Sequence, residues 1–237
     1  MIKVNSAQEL AKKIEHTNLS NTATKEDIEN LTHKAKKYGF YGIVVSPYYV
    51  KYAKELLKDD NIKVITVVGF PLGFVSSKIK EEEAKIAIES GADEIDMVLN
   101  IQALKDRDYD TIRKEIETVR KVTKGKILKV IIEAEILNDK QIVKVAKIIE
   151  ETGTDYVKTS TGLSGESPKM SNLVLIRKTV PNTKIKASGG IKNYKTASRL
   201  ISAGADKIGT SSGDLILEEY NRASKQQEIP ETKGFIE

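Results

Sequence analysis

Several things are missing from this 237-residue chain, and each absence removes a class of chemistry. It has no cysteine, which removes disulfides, thiolate nucleophiles and cysteine metal sites together and is compatible with a reducing compartment. Histidine occurs twice, at His16 and His33. A zinc held by protein ligands usually draws on two or three histidines. His33 lies in a helical run and reads as a surface residue, so no metal site is expected. Tryptophan is absent and aromatics are 5%, which leaves few platforms for stacking bases. No apolar run approaches the length of a membrane span. Met1-Ile2-Lys3-Val4 leads into a charged amphipathic segment instead of a signal peptide. We expect a cytoplasmic protein that binds neither membrane nor nucleic acid.

What remains is charge and aliphatic bulk. Charged residues make up 31% of the chain, hydrophobic residues 39%, and the net charge is +5. That balance supports a large core under a hydrated surface. The basic residues are interleaved with acids, as in Lys78/Glu82 and Lys80/Glu83, which we read as solvated helix faces. A mild positive bias suits a small anionic substrate. The length fits one α/β barrel, and no Pro/Gly/Ser-rich linker divides it. We expect a single domain over 1–237, with a polar, loosely ordered tail from about Ala223.

Periodicity supplies the architecture. After a helix-like opening at Ala7 to Lys13, short β-branched runs alternate with helix-length amphipathic runs about eight times. The strands are read at Ile14 to Thr17, Tyr41 to Val45, Ile62 to Val67, Asp93 to Leu99, Ile127 to Glu133, Asp155 to Lys158, Thr183 to Ala187 and Asp206 to Ile208. The last helix is read from Ser212 to Tyr220. Such alternation means parallel βα units and, most simply, a closed (β/α)8 TIM barrel with a short N-terminal helix. A doubly wound open sheet is the alternative, but no Gly-x-Gly-x-x-Gly follows the first strand.

Polar residues inside these strands point to function. Side chains alternate across a strand. If Ile95, Met97 and Leu99 face the outer helices, Asp96 faces the barrel axis, where an unpaired carboxylate is very costly. The same reasoning turns Lys129, Glu133 and Lys186 inward, and Lys158 closes its strand just before Thr159-Ser160-Thr161-Gly162. We expect a mouth containing Asp96, Lys129, Glu133, Lys158 and Lys186. Like charge and burial both lower a lysine pKa, and a neutral amine attacks carbonyls. Two glycine-bearing loops, Ala187-Ser188-Gly189-Gly190-Ile191 and Gly209-Thr210-Ser211-Ser212-Gly213, follow the last two strands, where barrels commonly bind phosphate.

Taken in order, Val67-Val68-Gly69-Phe70-Pro71-Leu72-Gly73, Gly91 to Asn100, Leu128 to Glu133, Val157-Lys158-Thr159-Ser160-Thr161-Gly162, Ile185 to Ile191 and Gly209-Thr210-Ser211-Ser212 resemble the motifs of the deoxyribose-phosphate aldolase family. The resemblance covers nearly the whole chain. It implies a class I aldolase that cleaves 2-deoxy-D-ribose 5-phosphate to D-glyceraldehyde 3-phosphate and acetaldehyde, in deoxyribose catabolism, without metal or organic cofactor. It places the Schiff-base lysine on Lys158, the proton-relay aspartate on Asp96 and the second active-site lysine on Lys186. Lys129, Glu133, Thr161 and Glu15 take supporting positions, and Gly162, Gly189, Gly190, Ser211 and Ser212 take the phosphate contacts. On this reading the carbon chain breaks between C3 and C4. A homodimer or homotetramer is also implied.

The chain departs from the family pattern in places. Glu15 stands where aspartate is usual, Val45 where many members have cysteine, and Leu163-Ser164-Gly165-Glu166-Ser167 replaces more glycine-rich or basic versions. The terminal tyrosine of some members is missing. Two rival readings use the same residues: a Schiff-base barrel acting on another phosphorylated sugar, and a phosphate-ligand or nucleic-acid binding protein with an inert lysine.

Overall fold

A computed structural model describes Val4 and residues 6–163 and 167–228. Eight parallel strands close into a barrel in sequence order, β1 pairing with β8. They are β1 (Ile14–Asn18), β2 (Gly42–Val45), β3 (Lys63–Val68), β4 (Glu94–Val98), β5 (Ile127–Ile131), β6 (Tyr156–Lys158), β7 (Lys184–Ser188) and β8 (Lys207–Thr210). The helices are α1 (Ala7–Ala11), α2 (Lys25–Tyr38), α3 (Val50–Leu56), α4 (Ser77–Glu89), α5 (Ile101–Lys105), α6 (Tyr109–Val122), α7 (Asp139–Glu151), α8 (Met170–Thr179), α9 (Tyr194–Ser202) and α10 (Gly213–Glu228).

Local chemistry sets the helix ends. Thr24 accepts from the Asp27 N–H while the Asp27 carboxylate accepts from the Thr24 N–H, a reciprocal cap that starts α2. Gly39, at φ 69, ends the same helix in the left-handed conformation. Asn138 and Gln141 cap α7 in the same reciprocal way. The short helix α5 and the 3-10 turns at Pro47–Tyr49 and Ala134–Ile136 are too brief for a periodic signal. At the other end α10 continues to Glu228, so the segment expected to loosen from Ala223 is helical at least that far. The remainder of the tail lies outside the described residues, as does 164–166 of the divergent loop.

The barrel has two cores. Ile95, Met97, Leu99, Leu128, Val130, Ile132, Val157, Ile185 and Ala187 all join the large layer between strands and helices, as the alternation required. Full burial of each of these side chains larger than alanine contributes roughly 1.5–3 kcal/mol. Inside the barrel, register aligns Val44 with Ile65, Ile65 with Glu94, and Val67 with Asp96. Val44, Ile65 and Val67 form a small apolar cluster of their own. The interior is thus apolar along β2 and β3 and ionic along β1 and β4 to β7.

One helix pair departs from the sequence reading. Lys80 is fully buried instead of solvated beside Glu83. Its ammonium donates to Glu115 Oε2 at 2.7 Å and to the Val98 carbonyl at 2.8 Å. Glu115 in turn accepts from the Asn100 N–H, while Glu83 accepts from the Gly69 N–H. The pair ties α4 and α6 to the end of β4, just beyond Asp96. Its partner is 35 residues away, so a pattern of near neighbours along one helix could not show it. His33 is exposed, as expected.

Candidate active site

Register brings the ionic residues together. Asp96 lies beside Lys129 across the β4–β5 pair, and Lys158 beside Lys186 across the β6–β7 pair. Residues in register share a face, so four of the five expected side chains meet on the axis. Asp96 is their centre: Oδ2 accepts from Lys158 Nζ at 2.8 Å and Lys186 Nζ at 2.6 Å, and Oδ1 from Lys129 Nζ at 3.0 Å. Glu15 completes the cluster from β1, accepting from Lys186 and lying 3.5 Å from Lys129. Gly209 makes room for this, since a Cβ there would stand 2.9 Å from Lys186 Cε.

Glu133 belongs elsewhere. It lies past the end of β5 in the left-handed region, at φ 49, and its carboxylate accepts from the Thr161 hydroxyl at 2.6 Å and the Thr161 N–H at 3.3 Å. The backbone turn after β5 breaks the alternation on which its inward assignment depended. Glu133 therefore shapes the Thr161 loop and stays apart from the amines. Glu94 was missed. It stands two residues before Asp96 on the same face, its carboxylate accepting from Lys129 at 2.5 Å and from the Tyr41 hydroxyl. Extending the same period two residues back would have found it.

Burial governs the titration of the cluster. It pulls the Lys158 ammonium down from 10.5 to about 8; Asp96 opposes this and Lys186 adds to it. Burial alone would raise the Asp96 carboxyl, yet Lys129, Lys158 and Lys186 together hold it well below the ordinary carboxylate range. Lys129 goes the other way, because Asp96, Glu15 and Glu94 outweigh the lowering by burial. The site thus contains one amine that deprotonates near neutrality and one that stays charged.

Above the cluster opens a cavity of about 750 Å³. Lys158 and Lys186 lie at its base, and Thr161, Gly162, Gly189, Gly190 and Ser211 line its wall. The turn at Gly162 packs against the first glycine loop: a Cβ on Gly162 would lie 3.7 Å from Gly189 Cα. Gly162, Gly189 and Gly190 all adopt positive φ, which leaves the backbone open to a ligand. Ser212 stands one residue before α10, its N–H donating to Thr210 Oγ1 at 2.9 Å, and does not line the cavity. His16, buried and pulled down to about 4 by desolvation, is neutral at physiological pH and contributes a wall.

Comparison with known proteins identifies the family. Residues 8–218 match the DeoC/LacD family aldolase. The chain belongs to the DeoC/LacD aldolase family. It is 50% identical over 216 residues to a deoxyribose-phosphate aldolase of Caldicellulosiruptor saccharolyticus, covering 90% of this chain and 98% of the relative. Identity to that of Thermococcus gammatolerans is 49%, covering 89% and 96%. Among solved structures, the deoxyribose phosphate aldolase of Aeropyrum pernix, described as a unique tetramer, superposes with TM-score 0.87 at 33% identity, covering 93% of this chain and 94% of that one. This family member thus shares the barrel fold expected from its alternating strands and helices. Among the described residues, no helix is long and apolar enough to cross a membrane.

Proposed function

We propose that this aldolase cleaves 2-deoxy-D-ribose 5-phosphate to D-glyceraldehyde 3-phosphate and acetaldehyde through a Schiff base on Lys158. The observation that carries the reading is the pair of lysines on one carboxylate oxygen, Lys158 and Lys186 on Asp96 Oδ2, at the base of a cavity walled by glycine loops. At pH 7.5 a lysine of pKa about 8 is about one-quarter neutral, against about one in a thousand for an unperturbed lysine. That neutral amine attacks the aldehyde carbon of the open-chain sugar. The carbinolamine takes up a proton and loses water, leaving an iminium that draws electrons from the neighbouring carbons.

Carbon count then fixes which bond breaks. Acetaldehyde carries C1 and C2 and the phosphorylated product carries C3 to C5, so the scissile bond is C2–C3 and not C3–C4. As the C3 hydroxyl gives up its proton, the C2–C3 electrons move into the iminium and form an enamine. Protonation at C2 and hydrolysis release acetaldehyde and restore Lys158. Asp96, held ionised, is a poor store of a proton and a good relay: we assign it the transfer of protons between Lys158, Lys186 and water released in the site. Lys186 fixes Asp96 and, by like charge, helps keep Lys158 neutral. The phosphate is assigned to the wall at Gly162, Gly189, Gly190 and Ser211. Ser212 is kept as an edge contact through its hydroxyl.

The test is borohydride reduction with acetaldehyde or deoxyribose 5-phosphate, followed by peptide mass mapping and a turnover assay. The expected label is on Lys158. Turnover without a label on Lys158 refutes the mechanism; a label without turnover of this sugar points to a Schiff-base enzyme for another sugar phosphate. No turnover and no label points to a binding protein. We also propose a homodimer or homotetramer, supported by the tetrameric Aeropyrum pernix relative, which light scattering on the purified protein would test.

A further inference from the structure

Below the reacting amine the barrel contains a second carboxylate that the proposed chemistry does not use. Glu94 is 2% exposed, and one of its oxygens accepts from Lys129 at 2.5 Å while the other accepts from Tyr41. Lys129 extends from Glu94 to Asp96 Oδ1, 3.0 Å away. Other charged and titratable groups face Glu94 from several elements. Glu15 comes from β1, Tyr156 from β6 beneath the Lys129 ammonium, and Lys207 from β8 with its ammonium 3.1 Å from the centre of the Tyr41 ring. Lys184 of β7 lies over the outer side of Tyr156.

The charges on the axis balance in a particular way. Glu15, Glu94 and Asp96 are the buried carboxylates, and Lys129, Lys158 and Lys186 the buried amines. With Lys158 neutral, the interior carries one excess negative charge. With Lys158 cationic, as an ammonium or as an iminium, it is neutral, so the same balance that stabilises the iminium also opposes the lowering of the Lys158 ammonium by burial. An uncompensated charge in a buried site is costly, so the arrangement favours the cationic intermediate over the free amine.

We propose that Glu94, acting through Lys129, is a positioning residue for the aldolase reaction: it holds Lys129 against Asp96 and supplies the negative charge that balances the Lys158 iminium. The inference rests on the Schiff-base reading above. Forming the iminium from neutral Lys158 consumes the aldehyde and one proton and releases one water, so the interior gains one positive charge. Glu94→Gln keeps the shape and removes the charge. The free amine then becomes the neutral state and the iminium an excess cation.

The test follows kcat/KM against pH, together with the fraction of Lys158 trapped by borohydride at limiting acetaldehyde near pH 9, where the amine starts mostly neutral. For Glu94→Gln the acid limb moves below its wild-type position by about one pH unit, and trapping falls about tenfold, the size expected for a charge two links away. Glu94→Asp keeps the charge but shortens the reach to Lys129; its limb stays in place while kcat falls several-fold. The inference is overturned if the Glu94→Gln limb does not move, or if the Asp variant moves as far as the Gln variant. If Glu94→Gln does not fold, Glu94→Asp decides: reduced kcat with an unmoved limb supports the proposal, and unaltered kcat with only a lower melting temperature overturns it. Wild-type protein in the same trapping experiment separates the two readings. An unlabelled wild-type Lys158 refutes the Schiff base itself, whereas a labelled wild type with an unmoved variant refutes only the role of Glu94.

Discussion

Replacing Lys186 by methionine tests why Lys158 is reactive. Both ammoniums hold Asp96 Oδ2, at 2.8 and 2.6 Å, so they stand no farther apart than about 5.4 Å. Two like charges at that separation repel by about 3 kcal/mol at an effective dielectric of about 20, equivalent to about two pH units in the Lys158 equilibrium. Methionine fills much of the same volume without the charge, and also leaves Asp96 less compensated, which favours the Lys158 ammonium further. The acid limb of kcat/KM is therefore expected to move from about 8 to about 10. At pH 7.5 the neutral fraction falls from about one-quarter to a few per thousand, so kcat/KM drops roughly a hundredfold. Most of this loss returns as pH rises through 10. The assay is a pH series of deoxyribose 5-phosphate cleavage, with melting temperature as the folding control. A limb that stays near 8 while activity falls equally at every pH would refute the electrostatic argument and leave Lys186 as a substrate contact only.

The depressed pKa of Lys158 also predicts how stability depends on pH. Between about 8 and 10.5 the unfolded chain binds more protons at this site, so unfolding free energy rises with pH across that window, by about 3 kcal/mol relative to Lys158→Met; paired denaturant titrations would detect it. Lys80→Met should destabilise by about 3–5 kcal/mol because Glu115 is left buried without its cation, and Lys80→Met/Glu115→Leu should recover most of that in the same titrations. Gly190→Ala places a residue at φ 61, with its Cβ 2.8 Å from Ser167 Oγ; KM for deoxyribose 5-phosphate should rise about tenfold, with borohydride trapping of acetaldehyde unaffected. Val45 is buried in the helix-side layer at the position where the family resemblance implies a thiol, and valine offers no nucleophile there, so activity should survive incubation in concentrated acetaldehyde, and rapid inactivation there would count against the argument.

Much of the barrel could be read locally. Helices α6 and α7 are legible as amphipathic runs, because their caps and apolar stripes lie within the segments themselves. Strand period two separated Asp96, Lys129 and Lys186 from their outward neighbours for the same reason. The readings that failed involve residues whose environment is set by distant chain. Lys80 looked like one half of a surface pair until α6 supplied Glu115. Glu133 obeyed the strand period only until the backbone turned to positive φ, a choice made by its bonds to Thr161, 28 residues on.

The sequence by itself determined the alternation of strands and helices, the inward face of β4, β5 and β7 and the presence of a lysine at the end of β6, since each is written within a few consecutive residues. Tertiary structure decided which charges share an oxygen. Only barrel closure and register bring β1, β4, β5, β6 and β7 to one axis, put Lys158 and Lys186 on Asp96, and leave Glu94, itself bonded by Tyr41, to hold Lys129 from below. The reactivity of Lys158 follows from that convergence, because its proton affinity is a sum over neighbours 62 and 28 residues away in sequence and the water that closure excludes.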